Sequence, residues 1–181
     1  MIKILLTYPD TAMGAVDPVR LQPLNDSARR ETGRYVLYWM QQSQRAIHNP
    51  ALEYALERAN DAGQPLLVVF GLMDDYPEAN LRHYTFMLEG LKETQAALAE
   101  RGVQMVVRHG RPNEVALTYA EDASLLVTDR GYLRHQKQWR AHVAEAGPGW
   151  GVPGEGGGVV AVGTVTDKAE YAGRANCPQN H

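Results

Sequence analysis

The stretch Gly33 to Leu72, GRYVLYWMQQSQRAIHNPALEYALERANDAGQPLLVVFGL, decides the fold. Arg34 to Met40 is a short apolar run rich in Tyr, Val and Trp, which predicts a buried strand. Gln41 to His48 is polar. Asn49-Pro50 then supplies a capping side chain followed by a proline suited to the first helical position. Leu52, Ala55, Leu56 and Ala59 fall on one helical face, and Gly63 stops the helix. Leu66 to Phe70 is a second continuous apolar strand. Two parallel strands joined by a helix make a βαβ unit. The crossover holds no glycine-rich phosphate loop, so a ligand there is not held as an ordinary dinucleotide is.

The rest of the chain repeats the alternation. Leu81, Tyr84, Leu88, Leu91 and Leu98 recur at helical spacing after Tyr76-Pro77-Glu78, and Gly102 ends that helix. Val103 to Arg108 reads as a third strand. Gly110-Arg111-Pro112 turns into a short helix ending near Asp122. Ser124 to Thr128 reads as a fourth strand, and Leu133 to Ala146 as a fourth helix anchored by Trp139 and Val143. The expected fold is α/β, a doubly wound parallel sheet of about five strands in three α/β/α layers. Residues 1–30 read as an irregular extension of a domain spanning 1–146. Residues 147–181 open with GPGWGVPGEGGG and read as a Gly-rich loop, or the remains of a fifth strand, followed by a linker. Gly149-Trp150-Gly151-Val152-Pro153-Gly154 fits the spacing GxGxxG. It follows a predicted helix and contains a proline, so a linker is the better reading than a dinucleotide fingerprint.

Composition narrows the classes. The 181 residues carry a formal net charge of -3, which creates no global field favouring nucleic acid. Cys177 is the single cysteine, so neither an intrachain disulfide nor a multi-cysteine zinc site can form. The apolar run at Met1 to Leu6 is interrupted by Asp10, and no apolar segment is long enough for a bilayer. The expected location is the cytoplasm, with no membrane partner. GxSxG, HExxH, Walker and CxxC motifs are absent. Asp74-Asp75 sit in a turn near a helix start, where they favour the helix dipole.

Several blocks, in order, resemble the amino-terminal α/β domain of class II cyclobutane pyrimidine dimer photolyases. They are Tyr35-Val36-Leu37-Tyr38-Trp39-Met40, Gln44-Arg45, Asn49-Pro50-Ala51-Leu52, and the run Leu81 to Leu91 (LRHYTFMLEGL). Val127-Thr128-Asp129 and Thr166 to Ala172 (TDKAEYA) follow. The resemblance implies a Rossmann-like domain that holds a light-harvesting antenna, such as a deazaflavin or folate. It also implies a larger helical domain that binds flavin adenine dinucleotide (FAD) and damaged DNA. Reduced flavin, excited by blue light, donates the electron that splits the dimer. This chain stops at His181, so the expectation is an antenna domain lacking the helical flavin domain, with FAD and DNA engaged only through that domain. Photorepair by this polypeptide alone is not expected. The alternatives are a non-catalytic remnant that self-associates through the orphaned docking face, or a nucleotide-binding domain of the same superfamily.

In open parallel sheets a ligand lies beyond the carboxyl ends of the strands, at the switch in strand order. The candidate antenna cleft therefore comprises Trp39, Met40, Arg45, Asn49, Phe70, Gly71, Leu72, Arg111 and Asp129. Trp39, Met40, Phe70 and Leu72 would supply apolar faces and Gly71 a close backbone approach, while Arg45, Arg111 and Asp129 would supply charge or hydrogen bonds. Bland roles compete with these: core for Trp39, Met40 and Phe70, a helix cap for Asn49, and a turn for Asp129. His83 has no assigned role. Arg134, Lys137 and Arg140 make a basic turn that reads as a solvated helix face.

Overall fold

The computed structural model describes residue 30, residues 32–147 and, by backbone alone, residues 151–154. The amino-terminal extension and the TDKAEYA block lie outside these. Strands β1 (Tyr35–Trp39), β2 (Leu66–Leu72), β3 (Gln104–His109), β4 (Ala123–Asp129) and β5 (Gly151–Gly154) alternate with helices α1 (Pro50–Ala62), α2 (Leu81–Glu100), α3 (Pro112–Ala120) and α4 (Arg134–Ala146). All strand pairs are parallel, in the order β3-β2-β1-β4-β5. Chain order reverses between β1 and β4, so the switch point lies at the carboxyl ends of those two strands.

Alternation along β1 builds both layers of core. Val36, Tyr38 and Met40 join Leu52, Ala55, Val68 and Leu98 under α1 and α2. Leu37 and Trp39 join Val69, Val115, Leu126 and Val143 under α3 and α4. Burial on both faces explains why these strands are continuously apolar rather than alternating. Local signals set the helix ends. Asn49 Oδ1 accepts the Leu52 N–H at 3.2 Å, Pro50 occupies the first turn, and Gly63 closes α1 at φ 61°.

One alternative is settled and one expectation is corrected. Gly151–Gly154, in the Gly-rich segment read as a loop or the remains of a fifth strand, forms β5 and pairs with Leu126 to Asp129. Its proline is tolerated because β5 is an edge strand. The leucine stripe of α2 is buried only in its second half, at Leu91 and Leu98, whereas Leu81 is 82% exposed and Leu88 45%. Twenty helical residues span about 30 Å, and a strand of seven residues about 23 Å. The first turn of α2, where Leu81 is exposed, therefore overhangs the carboxyl edge of the sheet, and His83, Tyr84 and Met87 wall that edge.

Candidate functional site

A cleft of about 540 Å³ opens at that edge. Its floor is the end of β2 and the residue after it, Phe70 to Met73. One wall is the first half of α2, with His83, Tyr84 and Met87. The other is the start of α4, with Gln136 and Trp139. The loop after β1 contributes Gln41, Gln42 and Gln44. Tyr76 Oη lies 2.9 Å from His135 Nε2, and the His135 ring stands edge-on to Trp139 at 4.9 Å between centroids. That chain of rings joins the β2–α2 loop to α4. The lining is mainly aromatic, thioether and amide in character, with the carboxylate of Glu78 and the imidazole of His83 beside these, and it suits a flat apolar ligand held by a few directed hydrogen bonds.

Of the nine sequence candidates, Phe70, Gly71 and Leu72 line this cleft. Met40 is fully buried in the core beneath α1 and α2. Trp39 is buried in the opposite core, and its indole N–H donates to Gln41 Oε1 at 3.1 Å. Arg45 is exposed and outside the lining. Arg111 is paired with Asp75 at 2.8 Å. Gly71 serves packing: an added Cβ would stand 2.5 Å from Pro112 Cα at the start of α3. Its backbone also grips Gln41, whose Nε2 donates to the Gly71 carbonyl at 3.2 Å.

Asn49 and Asp129 form one buried network. Asp129 Oδ2 accepts three successive backbone N–H groups, from Gln41, Gln42 and Ser43, at 2.9, 2.8 and 3.0 Å. Oδ1 accepts the Tyr38 hydroxyl at 2.6 Å, and that hydroxyl accepts from Asn49 Nδ2 at 2.9 Å. Burial raises the Asp129 carboxyl above its ordinary value, against the pull of these hydrogen bonds. Burial, with Asp129 beside it, pushes the Tyr38 phenol well up. The network pins the loop after β1, so Asp129 fixes the glutamines that reach the cleft.

Other assignments change with the geometry. His83 Nδ1 accepts the Asn80 N–H at 3.1 Å while Asn80 Oδ1 accepts the His83 N–H, a reciprocal cap on α2. Asp74 and Asp75 lie several residues before α2 and instead reach His109 at the end of β3 and Arg111 just after it. Arg140 leaves the solvated face, donating to the Gly131 carbonyl at 2.6 Å. Sequence reasoning missed Tyr76, Tyr84, Met87 and Gln136 as cleft residues, since their approach depends on how the β2–α2 loop and the starts of α2 and α4 come together at the sheet edge. Among the described residues, no three His, Cys, Asp or Glu side chains could share a metal ion, and no helix is long and apolar enough to cross a membrane.

The model of the family described as DNA photolyase matches residues 36–174. The chain belongs to the DNA photolyase family. It is 49% identical over 156 residues to a deoxyribodipyrimidine photo-lyase of Methanothermobacter thermautotrophicus, covering 84% of this chain and 34% of that protein. It is 30% identical over 153 residues to the deoxyribodipyrimidine photo-lyase of Potorous tridactylus, covering 82% of this chain and 29% of that one. The chain thus spans about a third of the length of these curated relatives. A functionally unknown protein from Pseudomonas aeruginosa shares the fold, with a TM-score of 0.53 at 15% identity, over 82% of this chain and 60% of that one.

Proposed function

We propose that this chain is the light-collecting α/β unit of a class II photolyase-type protein, and that the cleft between α2 and α4 holds its antenna chromophore. The observation that carries the reading is the cleft itself. A volume of about 540 Å³ falls within the range of small-molecule sites. Phe70 and Leu72 offer an apolar floor, Tyr84 and Trp139 offer aromatic walls, and Gln42, Gln44 and Gln136 offer amide groups at the rim. This lining fits a planar deazaflavin or folate. Such a chromophore, when bound, absorbs light and passes the excitation through space to a flavin. The chain's own residues clamp the ring system, exclude water from its faces and hold its orientation.

Splitting of pyrimidine dimers by reduced FAD is assigned to a helical domain like that of the family. DNA contact is assigned there too, consistent with the chain's net charge of -3. A cytoplasmic setting accords with the single cysteine. Equilibrium titration with a deazaflavin and with a folate, read by visible absorbance, tests the reading. Saturable one-to-one binding is expected, and folded protein that binds neither would remove it.

A second reading rests on the outer side of the α2 overhang, where Leu81 is 82% and Phe86 81% exposed. It makes the chain an interaction module that self-associates. Sedimentation at rising concentration separates the two: a monomer that binds chromophore favours the antenna, and a chromophore-free dimer dispersed by Phe86→Glu favours the module.

A further inference from the structure

Sheets of this topology bind ligand anions at the switch point, on backbone N–H groups that turn up from the strand ends. This chain has those groups. The N–H groups of Gln41, Gln42 and Ser43 converge on a single point within 3.0 Å, just beyond β1 and beside β4. The point is already taken by Oδ2 of Asp129, a side chain only 3% exposed. A narrow crevice leads to it past Trp139 and Arg140, and the guanidinium of Arg140 adds positive charge.

We propose that Asp129 is a built-in anion, filling the place of a ligand phosphate and so making the switch point refuse phosphate-bearing ligands. The chain keeps the electrostatic design of a nucleotide site and satisfies it internally. Three donors aimed at one oxygen are oversupplied for a turn, which one or two would fix. Repulsion between the buried carboxylate and an incoming phosphate adds to the loss of donors. The neighbouring cleft is then left to ligands recognised by apolar and amide contacts. This specificity is independent of which chromophore, if any, the cleft takes.

Anion binding tests the proposal without reference to chromophore. Backbone amide resonances of Gln41, Gln42 and Ser43 in the unaltered protein are expected to stay fixed as inorganic phosphate or adenosine monophosphate is added. Saturable movement of these resonances would overturn the idea. In Asp129→Ala the donors are uncovered, and formate is small enough to replace the lost carboxylate. The variant is expected to melt below the parent and to recover about half of that loss in formate, against chloride at equal ionic strength. Asp129→Asn, whose amide oxygen still plugs the site, is expected to ignore formate. If Asp129→Ala folds and formate does nothing beyond chloride, the amides are not an anion site. If Asp129→Ala does not fold alone, soluble recovery on refolding with formate rather than chloride supplies the same readout.

Discussion

The Tyr38 hydroxyl donates to Asp129 Oδ1 at 2.6 Å, joining the ends of the two strands between which chain order reverses. Burial keeps the phenol protonated, so it remains a donor at any working pH. Tyr38→Phe removes that donor and leaves a buried carboxylate oxygen short of one bond. The expected loss is about 1–3 kcal/mol of stability. Urea denaturation reads it as a lower midpoint with unchanged slope.

The same carboxylate gives a pH signature. Burial raises the Asp129 pKa in the folded state above the value of about 3.9 in an unfolded chain. Its contribution is therefore fully present below about pH 4 and lost as pH rises through the folded value. Asp129→Asn cannot ionise and has no such loss. Across a pH series of urea midpoints, the stability difference is expected to shift toward the Asn variant as pH rises. A constant difference, or a shift toward the parent, contradicts the assignment.

Gly71 tests whether the cleft floor is set by helix packing. Its added Cβ would meet Pro112 Cα at 2.5 Å and Pro112 N at 3.3 Å, both backbone atoms that no rotamer change can move. Gly71→Ala is expected to cost about 1–3 kcal/mol by overpacking. Thermal denaturation checks the loss.

Glu53 and Arg101 tie α1 to the end of α2. Arg101 Nη2 donates to both carboxylate oxygens at 3.1 and 3.0 Å, and Nη1 donates to the Ala46 carbonyl. The two side chains are only 14% and 18% exposed. Glu53→Gln removes the bidentate carboxylate from a largely buried guanidinium and is expected to cost about 1–3 kcal/mol. The Arg34–Asp122 pair, 76% and 59% exposed, is the control. Asp122→Asn is expected to leave the denaturation midpoint where it was.

The layered fold was legible because its signals are local. Apolar runs such as Leu66 to Phe70 mark doubly buried strands, Asn49-Pro50 starts a helix and Gly63 ends one. The cleft was only partly legible. Phe70, Gly71 and Leu72 follow from the rule that ligands gather at strand ends. Tyr84 and Met87 do not, because their approach depends on how far α2 outruns the sheet, a length mismatch invisible to helical periodicity. That mismatch also leaves Leu81 in solvent. Asp129 was visible as a strand-end aspartate, yet its partners lie 86 to 88 residues away at Gln41 to Ser43. No local pattern announces such a contact. β5 carries too few side chains for the apolar pattern that marks the other strands.

The central claim is that the α2–α4 cleft takes a planar chromophore. Its most direct test is a deazaflavin titration of the parent beside Met87→Arg. Met87 lines the cleft wall in the first half of α2 and packs partly buried against the edge of the core, so a long cation there obstructs the cleft, and a cooperative melt of the variant is the control that it stays folded. The account predicts saturable binding to the parent and an affinity at least about tenfold weaker, roughly 1.4 kcal/mol, in the variant. Equal affinity in both folded proteins would place the ligand elsewhere and contradict the account.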